Sequence, residues 1–157
     1  MELHFFRHGD AEPASATVRD EERQLTERGR QETLAVALAV RQAGLQPEAV
    51  LTSPLRRARQ TAEILQEVFV IPAQVEPRLA PGCSLGDVQL LLSHHSRGRM
   101  VLVGHEPDFG HIVSQLIGGG QVTMAKSGVA RVDCDRVEPR AGVLVWLVGP
   151  EVVGGRG

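Results

Sequence analysis

Cysteine, aromatic side chains and long apolar runs are all scarce in this chain. Its two cysteines, Cys83 and Cys134, stand far apart, a usage typical of a reducing cytoplasm rather than of a secreted, disulfide-linked fold. Tyrosine is absent and other aromatic residues are few, so stacking platforms for bases or sugars are poorly supplied. No segment approaches the ~18 apolar residues of a membrane span, and the charged N-terminus lacks the uncharged core of a signal peptide. We therefore expect a cytoplasmic protein that does not engage a membrane.

An excess of charge of one sign is also missing. The net charge of -2 argues against a polyanion as the main partner, so nucleic acid is excluded as the expected ligand. The 157 residues match the usual size of one domain. We assign residues 1–149 to this domain and residues 150–157 to a flexible tail, and we take a monomer as the default state.

Strand and helix signals alternate along the chain. This order predicts an α/β fold, a three-layer α/β/α sandwich with a largely parallel sheet and an antiparallel edge. Such sheets bind ligands beyond the carboxyl ends of their strands. The predicted strands are residues 2–7, 48–52, 74–76, 99–103, 128–133 and 142–148, and the predicted helices are residues 27–43, 54–70, 84–92 and 108–117.

Two helix starts carry local signals. Thr26 is a candidate N-cap for the first helix, whose apolar stripe is predicted to contain Leu34, Ala37 and Leu38. Ser53 followed by Pro54 has the pattern of an N-cap with proline at the first helical position, which predicts that the second helix begins there.

Three strand ends carry polar residues that suit phosphate chemistry. They are Arg7-His8-Gly9, Ser53 with Arg57 shortly beyond, and Gly104-His105. Guanidinium groups are always ionised and offer paired donors to phosphate oxygens. A neutral imidazole can attack phosphorus, and neighbouring arginines disfavour its protonation.

Together, these motifs resemble the histidine phosphatase superfamily, also called the phosphoglycerate mutase-like family. The resemblance covers nearly the whole chain and implies that His8 is the phosphorylated nucleophile, that Arg7 and Arg57 bind phosphate, and that His105 is the second pocket histidine. Arg57 is preferred to its neighbour Arg56 because it matches the family's Ser-x-x-x-Arg-Ala spacing.

The short chain and its Arg-His-Gly-Asp-Ala-Glu start look most like the SixA-type phosphohistidine phosphatases of that superfamily. This implies hydrolysis of phosphohistidine on a signalling phosphotransfer protein, without a metal or another cofactor. By the same resemblance Arg23 is a further candidate phosphate ligand, with a solvated loop arginine as the alternative. Gly9 is assigned to the substrate site because glycine lets a ligand approach the backbone closely.

One family feature is missing. Many members carry a glutamate that protonates the leaving oxygen, but residues 78–82 contain no carboxylate. A phosphoramidate needs that proton less than an ester does, so the absence favours an N-linked substrate. Glu106 is a candidate acid, or alternatively a carboxylate that complements a helix dipole. A small-molecule phosphomonoesterase acting on sugar, nucleotide or coenzyme phosphates, and a phosphate-recognising binding module, remain as alternative functions.

Overall fold

A mixed β-sheet forms the centre of the computed structural model, which describes residues 1–95 and 98–154. Within that part of the chain the strands are β1 (Glu2–Arg7), β2 (Ala49–Thr52), β3 (Ala73–Val75), β4 (Arg99–Gly104), β5 (Val129–Cys134) and β6 (Gly142–Val148). The helices are α1 (Glu27–Gln42), α2 (Arg56–Phe69), α3 (Leu85–Leu92) and α4 (Asp108–Ile117), with short 3-10 turns at Asp20–Glu22 and Pro77–Leu79.

The strand order across the sheet is β3-β2-β4-β1-β5-β6. The first four strands in this order run parallel, whereas β5 is antiparallel to β1 and β6 is antiparallel to β5. This confirms the predicted α/β fold with an antiparallel edge. Because β1, β2 and β4 are parallel, their carboxyl ends and the residues that follow lie at the same edge of the sheet.

Each face of the sheet buries its own apolar cluster. One cluster joins β1 and β4 to α3 and α4 through residues such as Phe5, Leu102 and Phe109. The other joins the opposite face to α1 and α2 and includes Val36 and Leu65. The helices therefore cover both faces, and burial of these clusters is the main favourable contribution to folding.

The buried face of α1 differs from the predicted stripe. Leu34 and Leu38 are 44% and 39% exposed, whereas Val36, Ala37 and Val40 are at most 4% exposed. The prediction was wrong for the two leucines because this helix has apolar residues on more than one face, and the sheet selects the face with smaller side chains. The predicted N-cap is confirmed, since the Thr26 hydroxyl accepts a bond from the Gly29 N–H.

The start of α2 also differs from the sequence prediction. The helix begins at Arg56 with Leu55 at the N-cap position and no side-chain cap. Ser53 lies before the helix, where its hydroxyl accepts a bond from the Leu55 N–H at 3.2 Å and is free to contact another residue as well.

The predicted tail is described only in part. Residues 150–154 form turns, and residues 155–157 lie outside the described residues. No helix within the described ranges has the length and apolar character that crossing a lipid bilayer requires.

Candidate active site

The backbone brings His8 and His105 together at the carboxyl edge of the sheet. β1 and β4 are adjacent parallel strands in which Arg7 pairs with Gly104, and the His8 N–H continues the ladder by donating to the Gly104 carbonyl at 3.0 Å. The two imidazoles follow directly, with ring centroids 5.2 Å apart and planes tilted by 55°. Neighbouring parallel strands thus place one histidine each at a shared site.

The hydrogen bonds of His8 define its tautomer. Its Nδ1 lies 2.8 Å from the Gly9 carbonyl oxygen, which can accept but not donate, so Nδ1 carries the proton. Its Nε2 accepts a bond from the Nε–H of Arg57 at 3.3 Å. Because an arginine N–H can only donate, Nε2 must hold the lone pair. This nitrogen is therefore the nucleophilic atom of the ring.

The pocket keeps His8 neutral. The pKa of His8 is lowered to about 4, chiefly by burial; the positive charges of Arg57 and Arg7 contribute in the same direction, and the hydrogen bond to the Gly9 carbonyl opposes them. The neutral form has a free lone pair, so His8 has the protonation state that a nucleophile requires over the physiological pH range.

His105 is oriented by Ser53. The Nε2 of His105 lies 2.7 Å from the Ser53 hydroxyl oxygen, and this oxygen already accepts from Leu55 N–H. If the serine hydroxyl donates to Nε2, the proton of His105 sits on Nδ1. Burial, followed by the proximity of His8, lowers the pKa of His105 to about 3. In that tautomer a neutral His105 offers an Nδ1–H donor, so it need not be protonated to bind an anion.

Arg7 lies beside both histidines. Its Nη1 donates to the Met124 carbonyl at 2.8 Å. Burial lowers the pKa of Arg7, and the nearby Glu106 carboxylate opposes that shift. The guanidinium remains charged, because arginine is not deprotonated in proteins.

Two buried side-chain nitrogen atoms at the site have no hydrogen-bond partner among the described residues. Within the described part of the chain, the buried side-chain nitrogen and oxygen atoms without a hydrogen bond are Arg7 Nε, His105 Nδ1 and His4 Nδ1. Buried polar groups are nearly always hydrogen-bonded, and exceptions mark places where a ligand or water completes the structure. Arg7 Nε and His105 Nδ1 are therefore candidate donors to an anionic ligand.

Arg57 is held from two sides. Its side chain is 7% exposed, its Nε–H faces His8, and its Nη1 donates to the Asp20 carbonyl at 2.8 Å. The α2 backbone is tied to β1 as well, because the Thr61 hydroxyl donates to the Arg57 carbonyl and accepts the Gly9 N–H. These bonds fix the first turn of α2 against the residue that follows His8.

Arg23 lies at the outer side of the site. Its Nε donates to the Glu12 carbonyl at 2.7 Å and its Nη1 to the Asp20 carboxylate at 2.9 Å. Its positive charge contributes to the lowered pKa of His8. The structure thus places Arg23 near the cluster but gives it protein partners, and its role as a phosphate ligand stays a prediction.

Gly9 is required by packing within the protein. A Cβ at this position would lie 2.8 Å from Thr33 Oγ1, 2.9 Å from the Gly29 carbonyl oxygen and 3.0 Å from Ser127 Oγ. Protein atoms, rather than a ligand, therefore fill the space that glycine leaves, and the Gly9 N–H is already bound to Thr61.

Both carboxylate oxygens of Glu106 are engaged. Oε1 accepts from the Gly110 N–H at 2.6 Å, within the first turn of α4. Oε2 accepts from the Met124 N–H at 3.4 Å. Since the Met124 carbonyl binds Arg7, Glu106 links α4 to the segment that orients this arginine.

The sequence did not predict two contacts of the site. Ser53 was placed at the same sheet edge as the histidines and assigned to a helix cap, but its bond to His105 was not predicted. Asp20 belongs to no motif in the sequence, and it contacts Arg57 across 37 positions of sequence. No local pattern reports such a contact.

Within residues 1–95 and 98–154, no three His, Cys, Asp or Glu side chains form a group that could hold a metal ion.

Comparisons with protein families and with individual proteins point to the same group of enzymes. Residues 3–89 match the family described as the histidine phosphatase superfamily (branch 1). Phosphohistidine phosphatase SixA of Escherichia coli is 31% identical over 159 aligned positions, covering 96% of this chain and 94% of that protein. An uncharacterised protein of Picosynechococcus sp. is 41% identical over 136 positions, or 82% of each chain.

Solved structures show the same relationship. The protein histidine phosphatase SixA in complex with tungstate superposes with a TM-score of 0.85 at 30% identity, over 96% of this chain and 97% of that one. A mycobacterial glucosyl-3-phosphoglycerate phosphatase shares the fold, with a TM-score of 0.68 at 18% identity over 92% and 98% of the two chains.

Proposed function

Because this chain belongs to the histidine phosphatase superfamily and is a phosphatase, we propose that it acts through a covalent phosphohistidine formed on Nε2 of His8. The observation that carries the proposal is the fixed tautomer of His8. The Gly9 carbonyl accepts a hydrogen bond from Nδ1–H, and the lone pair of Nε2 faces a cluster of guanidinium and imidazole groups.

The first displacement follows from this arrangement. Nε2 of His8 forms a bond to phosphorus while the bond to the leaving group breaks. Negative charge on the phosphoryl oxygens is stabilised by Arg7, Arg57 and the Nδ1–H of His105. Both nitrogens of His8 are then substituted, so the ring carries a positive charge.

That positive charge assists the second displacement. Water attacks phosphorus, the P–Nε2 bond breaks, and the protons of the water molecule remain on the released phosphate. His8 leaves as the neutral imidazole with its proton still on Nδ1, which is its starting state. Two displacements with a stable leaving group replace one difficult hydrolysis.

For the substrate we propose phosphohistidine on a signalling phosphotransfer protein in the cytoplasm. A phosphohistidine that is protonated on its other ring nitrogen leaves as neutral imidazole, so the enzyme need not supply a proton. An alkoxide leaving group requires one. The two carboxylates found at the site, Asp20 and Glu106, are already engaged with arginines and with backbone amides. The similarity to E. coli SixA supports the same substrate class.

The test compares turnover of a phosphorylated phosphotransfer protein with turnover of p-nitrophenyl phosphate, with a chelator present throughout. We expect wild type to act without metal and to prefer phosphohistidine, and we expect His8→Ala to be inactive. His111→Ala, at an exposed position of α4, is the matched control and should retain activity.

Other outcomes select the alternatives. Faster turnover of the ester than of the phosphoramidate would favour a small-molecule phosphomonoesterase. Binding of inorganic phosphate without turnover of either substrate would favour a binding module and contradict the catalytic role of His8.

A further inference from the structure

Asp20 binds the outer end of the Arg57 guanidinium. Its backbone carbonyl accepts from Nη1 at 2.8 Å, and its carboxylate oxygen Oδ2 accepts from Nη2 at 3.3 Å. The other carboxylate oxygen, Oδ1, accepts from Arg23 Nη1 at 2.9 Å. One residue of the 3-10 turn at Asp20–Glu22 therefore connects both arginines.

These contacts determine which edge of Arg57 faces the nucleophile. A guanidinium is planar and has five N–H groups in fixed directions. With Nη1 and Nη2 held by Asp20, the remaining edge consists of Nε–H and the second N–H of Nη2, which point the same way. Nε–H is directed at His8 Nε2, so this edge faces the position that a transferring phosphoryl group must occupy.

We propose that Asp20 is a positioning residue, which holds Arg57 so that its Nε edge, with two parallel donors, binds the phosphoryl group in front of His8. This inference rests on the proposed function, because it assigns the orientation of a phosphate ligand. Asp20 itself does not touch the reacting atoms.

Charge supports a positioning role. The bond from Arg23, followed by the charge of Arg57 and its hydrogen bond, lowers the pKa of Asp20, so the carboxylate is ionised while it bridges the two guanidinium groups. One negative charge between two positive charges leaves the group with a net positive charge. It can therefore orient Arg57 and still attract a phosphoryl dianion.

The contact between Asp20 and Arg57 can affect phosphate binding in either of two opposite directions. A carboxylate on Arg57 could compete with phosphate, in which case its removal would strengthen phosphate binding. If Asp20 positions Arg57, removal of its carboxylate weakens binding of the transition state and of inorganic phosphate, because Nη2 of Arg57 loses the acceptor that fixes the rotation of the guanidinium, while the backbone carbonyl still binds Nη1.

The experiment measures kcat, KM and the dissociation constant of inorganic phosphate for Asp20→Ala and Asp20→Asn. Glu22→Ala is the matched control, since Glu22 lies in the same turn and pairs with the exposed Arg19. For Asp20→Ala we expect kcat to fall by about 10- to 100-fold with a smaller change in KM, and phosphate binding to weaken several-fold. Asparagine retains one acceptor and should recover part of the loss, and Glu22→Ala should match wild type.

A double-mutant cycle provides the readout that a general structural effect would not produce. In an Arg57→Ala background, Asp20→Ala should cause no further loss of kcat, because its effect acts through Arg57. Additive losses would overturn the proposal. So would tighter phosphate binding by Asp20→Ala, or behaviour equal to Glu22→Ala.

Calorimetric phosphate binding separates this inference from the proposed function. If wild type shows no turnover but Asp20→Ala still weakens phosphate binding, and does so only when Arg57 is present, Asp20 positions Arg57 and the catalytic proposal fails. If wild type turns over and Asp20→Ala equals wild type in both readouts, the positioning role fails and the catalytic proposal stands.

Discussion

The Nε–H of Arg57 donates to Nε2 of His8 across 3.3 Å. Arg57 belongs to the first turn of α2 and His8 follows β1, so this bond joins two separate elements at the nitrogen that we propose attacks phosphorus. The arginine binds the lone pair of His8 in the free protein. In the proposed mechanism its N–H donates to a phosphoryl oxygen once substrate is bound.

Arg57→Lys should lower kcat/KM by about 10²-fold or more. An ammonium keeps the charge but cannot donate to His8 while it also occupies both acceptors of Asp20, and loss of one oriented donor to a transition state has this order of effect. Steady-state kinetics would measure the change. The control is Arg56→Lys, at the exposed neighbouring position, which should be close to wild type. Equal effects at the two positions would contradict the assignment of Arg57.

Glu106→Gln should reduce activity by about tenfold on both a phosphate ester and phosphohistidine. The glutamine amide can accept through its oxygen, but its nitrogen would face a backbone N–H, so Met124 and the carbonyl that binds Arg7 would shift. A loss of one oriented contact of this kind has an effect of this order. Parallel kinetics with both substrates check it. A loss confined to the ester would instead identify Glu106 as the proton donor.

Gly9→Ala should destabilise the fold by about 1–3 kcal/mol, as overpacking does. The added methyl group would lie within 3.0 Å of Thr33 Oγ1, the Gly29 carbonyl oxygen and Ser127 Oγ. Urea unfolding would give the free energy of unfolding. In α3, Gly86→Ala is the comparison, because its Cβ meets nothing closer than 3.5 Å and alanine stabilises a helix by up to about 1 kcal/mol. Destabilisation of equal size at both positions would contradict the packing role of Gly9.

Stability should fall as the pH decreases below the ordinary histidine pKa. Burial lowers the pKa of His4 and of His8 to about 4, and of His105 to about 3, from 6.5. Above pH 6.5 these three histidines are neutral in both the folded and the unfolded protein, so they do not change the free energy of unfolding. Between pH 6.5 and about 4 the unfolded chain binds protons that the folded protein does not, so the free energy of unfolding decreases by about 1 kcal/mol per pH unit for each histidine.

Urea unfolding at several pH values measures this slope. His8→Asn should reduce it by about one third or more, because the contribution of His8 is removed and His8 also lowers the pKa of His105. His111→Asn controls for substitution at an exposed position. A free energy of unfolding that does not change between pH 6.5 and 5, or an unchanged slope in His8→Asn, would contradict the lowered pKa values.

The sequence was sufficient to predict the fold and to predict that Arg7, His8, Arg57 and His105 lie in one pocket. The residues after parallel strands meet at one sheet edge, so motifs at the ends of β1 and β4 are informative without coordinates. The sequence was insufficient where packing against the sheet determines which of two apolar faces of a helix is buried. Leu34 and Leu38 fit a helical stripe as well as Val36 and Val40 do, and the contact with the sheet decides which pair is buried.

Contacts between segments far apart in the sequence could not be predicted either. Ser53 has the local pattern of a helix cap, and its bond to His105 exists because β2 and β4 are neighbours. Asp20 has no periodic or motif signal, and its position over Arg57 depends on the path of the loop before α1. The tautomer of His8 likewise depends on the direction of the Gly9 carbonyl, which residue identity does not encode.

The covalent intermediate is the central claim, and rapid-quench trapping tests it most directly. Wild type mixed with a radiolabelled phosphohistidine substrate and quenched in alkali should yield labelled enzyme, with the label on the peptide containing His8. Phosphorus NMR of the trapped species should identify substitution at Nε2, and Arg57→Lys should accumulate less of it. Label on His105, substitution at Nδ1, or turnover without any labelled enzyme would contradict the account.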